Sequence, residues 1–239
     1  MLELTHGVTG GLPSGISTVG YGTILRQPRY GPTMGFVVGF DLDMTLIDPR
    51  AGMVVLFDRL REETGIPLDG EAFAQRLGPP LEQEFARYGV DVATMDHLIA
   101  RFRELYVPMV IPMTVPLPGA LESLRAVTDR GGEVIVVTGK FGPSAVAHLD
   151  ALGVTVRATI GRLWAGGKAL ALRENQAEVF VGDHIGDVVA ARDADAMAVA
   201  VSTGPIGAAE LAAAGADVVL PDLTGFPNWL DTYLMATVH

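Results

Sequence analysis

Cysteine is absent from all 239 residues, which excludes disulfides and thiolate metal sites and fits a reducing, cytoplasmic compartment. Positive charge is scarce. With 17 basic against 28 acidic residues the formal charge is -11, so neither nucleic acid nor an anionic membrane is an expected partner, since both demand basic patches. An anionic substrate would need local help. Long apolar runs are missing as well: none approaches the roughly 20 residues that a membrane span requires. Lysine is rarest of all, represented only by Lys140 and Lys168 among many arginines. In a chain where surface lysines have been replaced so thoroughly, those two draw attention.

What is present is a 49% hydrophobic chain, long enough for one sizeable core and an inserted subdomain. Residues 1–33 are dense in Gly, Ser, Thr and Pro without helical or strand periodicity, and read as a flexible N-terminal extension. They lack the basic start and apolar segment of a secretory signal. Met34-Gly35 directly precedes the first strand and marks a candidate translation start. After that strand, helical patterns near 52–64, 71–77, 81–88 and 94–107 form a helical insert, closed by a proline-rich hinge over 107–119. From Pro118 onward helices alternate with apolar strands at 133–137, 154–160, 178–181, 197–201 and 217–220. That alternation predicts an α/β fold with a doubly wound parallel sheet covered on both faces. The expected domains are a core of 34–49 and 116–239 and a helical unit of 50–115.

The organising stretch is Phe36-Val-Val-Gly-Phe-Asp-Leu-Asp-Met-Thr-Leu46, a buried apolar run ending in two aspartates. If the strand simply continued, Asp41 and Asp43 would point to the same face. Two carboxylates about 4 Å apart repel by roughly 4 kcal/mol at a protein-like dielectric. Such crowding is tolerated for chemistry or metal. Three strands of the predicted sheet end in reactive groups, at Asp41, Thr138 and Asp183, on the edge where ligands of such sheets bind.

Asp41-Leu-Asp-Met-Thr45 resembles the first motif, DxDxT, of the haloacid dehalogenase superfamily phosphatases, and three further stretches resemble the remaining motifs in order. Val136-Val-Thr-Gly-Lys140 is similar to the second, Lys168 fits the third by position although Ala169 follows where the family often has proline, and Gly182-Asp-His-Ile-Gly-Asp187 is similar to the fourth. The resemblance covers about residues 36 to 225. It implies a Rossmann-like core with a helical cap over 50–115, and a phosphoglycolate phosphatase-like enzyme acting on a small phosphorylated metabolite.

The implied catalytic residues are Asp41 as nucleophile, Asp43 as general acid and base, and Lys168 as the cation that neutralises phosphoryl oxygens. Asp41, Asp43 through its backbone carbonyl, Asp183 and Asp187 would hold Mg2+, a hard cation suited to oxygen ligands. Thr45, Thr138 and Gly139 are expected to bind substrate. From above, Arg50 and the Gly78-Pro-Pro-Leu-Glu82 loop are expected to contact its polar end, while Phe73, Phe85 and Phe102 at helical spacing are read as packing. Roles for Lys140 and His184, and a homodimer, stay open. So do two rival activities, a phosphomutase of the β-phosphoglucomutase type and a non-catalytic phospho-receiver.

Overall fold

The computed structural model describes residues 16–19, 22–26, 35–77, 80–164 and 166–237. In chain order the elements are β1 (Ile16–Val19), β2 (Gly22–Arg26), β3 (Val37–Phe40), β4 (Ile47–Asp48), α1 (Arg50–Thr64), α2 (Gly70–Ala74), α3 (Leu81–Ala86) and α4 (Val92–Val110). There follow β5 (Val115–Pro116), α5 (Ala120–Asp129), β6 (Glu133–Val137), α6 (Gly142–Ala151), β7 (Ala158–Gly161), α7 (Gly166–Glu174) and β8 (Val179–Gly182). The last are α8 (Ile185–Asp193), β9 (Met197–Val201), α9 (Ala208–Ala213), β10 (Val218–Leu220) and α10 (Phe226–Thr237).

Strands β7, β6, β3, β8, β9 and β10 lie side by side and run parallel, with β3 between β6 and β8. Because side chains alternate along a strand, one set of apolar residues serves each face. Val38, Phe40, Val136 and Val181 pack with Leu124, Leu149 and Phe226 of α5, α6 and α10, whereas Ile135, Val137 and Phe180 pack with Leu172, Val188 and Leu211 of α7, α8 and α9. Both faces are thus covered, as near-continuous apolar strands require.

Three features depart from the sequence expectation. Ile16–Val19 and Gly22–Arg26, inside the stretch read as a loose extension, form an antiparallel hairpin whose second strand pairs with β7. Backbone pairing to a sheet edge needs no side-chain periodicity, so pattern reading passes over it. The rest of that extension, and Met34 with it, lies outside the described residues. Next, α4 continues through Pro108 to Val110, with a 3-10 turn over Ile111–Met113, where a hinge was expected from Val107. Proline forfeits one helical hydrogen bond, but Val110 is fully buried and anchors the last turn against α1. A Cβ on Gly52 of α1 would stand 2.6 Å from the Val110 Cα, so only glycine permits this approach. Finally, helix α10, whose Phe226 and Leu230 complete one core face, falls after the last predicted strand.

Helices α1 to α4 share an apolar cluster of their own, centred on Phe57, which stacks on Phe73 at 4.2 Å between ring centroids and meets Phe85 and Phe102. A cluster built this heavily on one ring makes Phe57→Ala expensive. Urea denaturation of that variant is expected to show a loss of about 3–5 kcal/mol, and a loss under 1 kcal/mol would contradict the packing described.

Candidate active site

Strand β3 stops at Phe40, and the chain does not continue straight into the second aspartate. The Leu42 carbonyl accepts from the N–H groups of Thr45, Leu46 and Ile47, and Met44 takes φ 59°. This tight turn replaces the simple strand alternation expected from sequence, yet Asp41 and Asp43 still line one cavity together with Asp183 and Asp187. The ends of β6 and β8 deliver Thr138 and Asp183 to the same place. Around the cavity, of about 420 Å³, stand residues of the sheet edge and of the helical layer above it.

One carboxylate oxygen from each of Asp41, Asp183 and Asp187 lies within 4.8 Å of the others, and all three residues are buried. Lys168 Nζ donates to Asp187 Oδ1 at 2.6 Å and stands 3.1 Å from Asp41 Oδ2. The other Asp187 oxygen accepts from the His184 N–H at 3.2 Å, closing a capping box at the start of α8. Thr45 Oγ1 donates to Asp183 Oδ1 at 2.9 Å. Gly204 packs against that same carboxylate so closely that a Cβ there would collide with Asp183 Oδ2.

A second ion pair lies beside the first. Lys140 Nζ is 2.8 Å from Asp43 Oδ2 and donates to the Tyr106 hydroxyl at 2.6 Å, and that hydroxyl is 2.8 Å from His148 Nε2. Asp43 Oδ1, although buried, has no hydrogen-bond partner among the described residues.

Burial governs the electrostatics. Desolvation raises the Asp43 carboxyl above its ordinary range, opposed by Lys140 and reinforced by Asp41. Asp183 is raised well above its usual value, first by burial and then by Asp187 and Asp41. Burial also raises Asp187, against the pull of Lys168. Burial disfavours both ammonium groups, but Asp43 and Tyr106 hold the Lys140 pKa above its usual value, and Asp187 with Asp41 do so for Lys168. His148 is pushed down to about 3 by burial and by the Lys140 charge, while burial pushes Tyr106 up to about 12.

Most of the residues singled out from sequence meet here, with two exceptions. Arg50 bonds Asp48 through Nε at 2.8 Å and Nη2 at 2.6 Å and is not among the cavity-lining residues. The adjacent carboxylate in a tight turn captures it locally. Thr45 supports Asp183 from below and likewise does not line the cavity. The Asp43 carboxylate lines the cavity, but it pairs with Lys140 through Oδ2 and is not part of the three-carboxylate cluster. Gly78 and Pro79 lie outside the described residues, but Pro80, Leu81 and Glu82 line the cavity, as do Gly139 and His184. Phe73 and Phe102 serve both the helical cluster and the cavity wall. Sequence reasoning missed Tyr106, Arg103, Phe141, Arg162 and Trp164, all of which line it. Only the rarity of lysine pointed toward this second group, through Lys140.

Residues 38–192 match the haloacid dehalogenase-like hydrolases, and the chain belongs to that family. It is 28% identical over 220 residues to the phosphoglycolate phosphatase of Caulobacter vibrioides, covering 84% of this chain and 92% of that one. With the phosphoglycolate phosphatase of Rhodospirillum rubrum it shares 30% identity over 217 residues, covering 80% and 89%. A haloacid dehalogenase-like hydrolase from Streptococcus pneumoniae has the same fold, with a TM-score of 0.69 at 21% identity, covering 84% of this chain and 98% of that one. The same holds for a family hydrolase from Deinococcus radiodurans crystallised with bound phosphate and sodium, with a TM-score of 0.58 at 20% identity and coverage of 86% and 97%.

The depressed His148 carries a prediction about pH. Its pKa of about 3 lies below the unfolded value of about 6.5, so the folded state gains stability from a neutral ring that is present above pH 6.5 and lost as pH falls toward 3. Between pH 7 and pH 5 the loss is expected to be about 2 kcal/mol greater for the parent than for His148→Gln. Denaturation curves of the two proteins running parallel over that range would refute it.

Proposed function

We propose that this hydrolase is a magnesium-dependent phosphatase that transfers the phosphoryl group of a small monoester, phosphoglycolate-like or a sugar phosphate, to Asp41 and then to water. The observation that carries the reading is the convergence of Asp41, Asp43, Asp183, Asp187, Lys140 and Lys168 on one cavity.

Charge explains the cation. Even with Asp43 protonated, three carboxylates against two ammonium groups leave an excess of negative charge before an anionic phosphate arrives, and each close like-charge contact costs several kcal/mol. The buried oxygens of Asp41, Asp183 and Asp187 fit a hard divalent ion, with the Asp43 carbonyl as a further donor. Magnesium there would neutralise phosphoryl oxygens and orient the ester.

The chain's own groups do the rest. An Asp41 oxygen attacks phosphorus as the ester P–O bond breaks, giving an aspartyl-phosphate. Asp43, whose raised pKa favours retaining a proton, donates that proton to the departing oxygen. The same carboxylate then removes a proton from the water that attacks the aspartyl-phosphate, releasing phosphate and restoring Asp41. Thr138 and the backbone at Gly139 bind phosphoryl oxygens, and Lys168 stabilises their charge. The helical layer acts as a cap that excludes water and selects the leaving group.

Asp41→Asn is expected to abolish steady-state phosphate release from p-nitrophenyl phosphate, and retention of the parent rate would defeat the nucleophile assignment. Asp43→Asn should slow hydrolysis of the covalent intermediate, read as trapped radiolabelled phosphate on the protein. Chelation should end turnover and lower the melting temperature, with millimolar Mg2+ restoring both; a melting temperature indifferent to Mg2+ would count against the cation site.

A further inference from the structure

Above the phosphate end, the cavity contains two arginines that the chemistry does not use. Arg103 of α4 and Arg162 after β7 both line the cavity and both stand over Phe141, their guanidinium carbons 4.5 Å and 5.9 Å from its ring centroid. Among the described residues neither guanidinium forms an ion pair, in a chain with 28 acidic residues against 17 basic ones. Arg103 Nε is buried without a hydrogen-bond partner. Burial and then the neighbouring Arg162 charge lower the Arg103 pKa, opposed by Glu82, which also lines the cavity but forms no ion pair with Arg103 among the described residues. Arginines placed over an aromatic face without an ion-pair partner keep N–H donors for a carboxylate or phosphate.

Phe73, Leu77, Phe102 and Trp164 give the cavity an apolar share of its wall beside polar groups such as Glu82, and Trp164 lies over the turn at Gly139, where a Cβ would come within 2.9 Å of its ring. A cavity of about 420 Å³ exceeds what a phosphoryl group alone fills.

We propose that Arg103 and Arg162 form an anion clamp for the far end of the leaving group, so that the preferred substrate is a phosphomonoester with an apolar body and a second anionic group, carboxylate or phosphonate-like. This rests on the phosphatase reading above. Arg103 belongs to the helical layer and Arg162 to the sheet edge, so such a substrate ties the two together as it binds.

The test compares phenyl phosphate with 4-carboxyphenyl phosphate and 4-(phosphonomethyl)phenyl phosphate at equal Mg2+ and ionic strength. Parent enzyme is expected to favour at least one charged ester by about tenfold or more in kcat/KM, the scale of a charge-assisted hydrogen bond. Which charged ester gains identifies the anion. In Arg103→Gln and Arg162→Gln that ratio should fall toward one, with Arg103→Lys restoring part of it. A parent ratio of one or below, or a ratio unchanged in both glutamine variants, overturns the clamp. Calorimetric binding of the same three esters to Asp41→Asn protein separates the two readings. A binding preference for the charged ester without turnover by the parent refutes the phosphatase and leaves the clamp standing, whereas turnover of all three with equal binding refutes the clamp alone.

Discussion

Three buried carboxylates and a half-buried fourth, crowded around one cavity, form the constraint to which the rest of the molecule answers. Asp41, Asp183 and Asp187 bring oxygens within 4.8 Å of one another, and Asp43 stands beside them. Such a group is self-repelling, and burial deepens the cost by stripping water from each charge. Its survival depends on Lys168 bridging Asp41 and Asp187, on Lys140 gripping Asp43, and on the hydroxyl of Thr45 steadying Asp183. The apolar sheet beneath supplies rigidity, because β3, β6 and β8 are packed on both faces and cannot splay to relieve the repulsion.

Strain of this kind is useful where chemistry requires a cation and a phosphate to be attracted together. The two lysines are separated in space: Lys168 stays within the three-carboxylate cluster, and Lys140 pairs with Asp43. Lys140 also reaches the helical layer through Tyr106, which in turn meets His148 of α6. The helical layer is thereby hydrogen-bonded to the lysine that pairs with Asp43. A neutral histidine suits that position, since a second buried positive charge beside Lys140 would be costly.

Much of the core was legible in advance because its elements obey short-range rules. Val37–Phe40, Glu133–Val137 and Val179–Gly182 are apolar runs broken by turn residues, and their reactive ends at Asp41, Thr138 and Asp183 fall where parallel strands finish. Less legible were the edges. The hairpin of β1 and β2 rests on backbone pairing to β7, the final turn of α4 persists past Pro108 because Val110 is buried, and α10 lies after the last predicted strand. Arg50 misled for a related reason: its place after the first motif suggested the substrate, but Asp48, two residues earlier, holds it.

Sequence by itself determined which carboxylates and lysines stand just past strand ends, because Asp41, Asp43, Lys140 and Asp183 follow apolar runs whose stopping points are a local property of the chain. Only the tertiary structure decided what surrounds them. The pairing of Lys140 with Asp43, the reach of Tyr106 across to His148, and the meeting of Arg103 with Arg162 over Phe141 join residues distant in the chain. Contacts of that kind leave no periodicity behind; they arise from how one layer of helices settles onto one edge of a sheet.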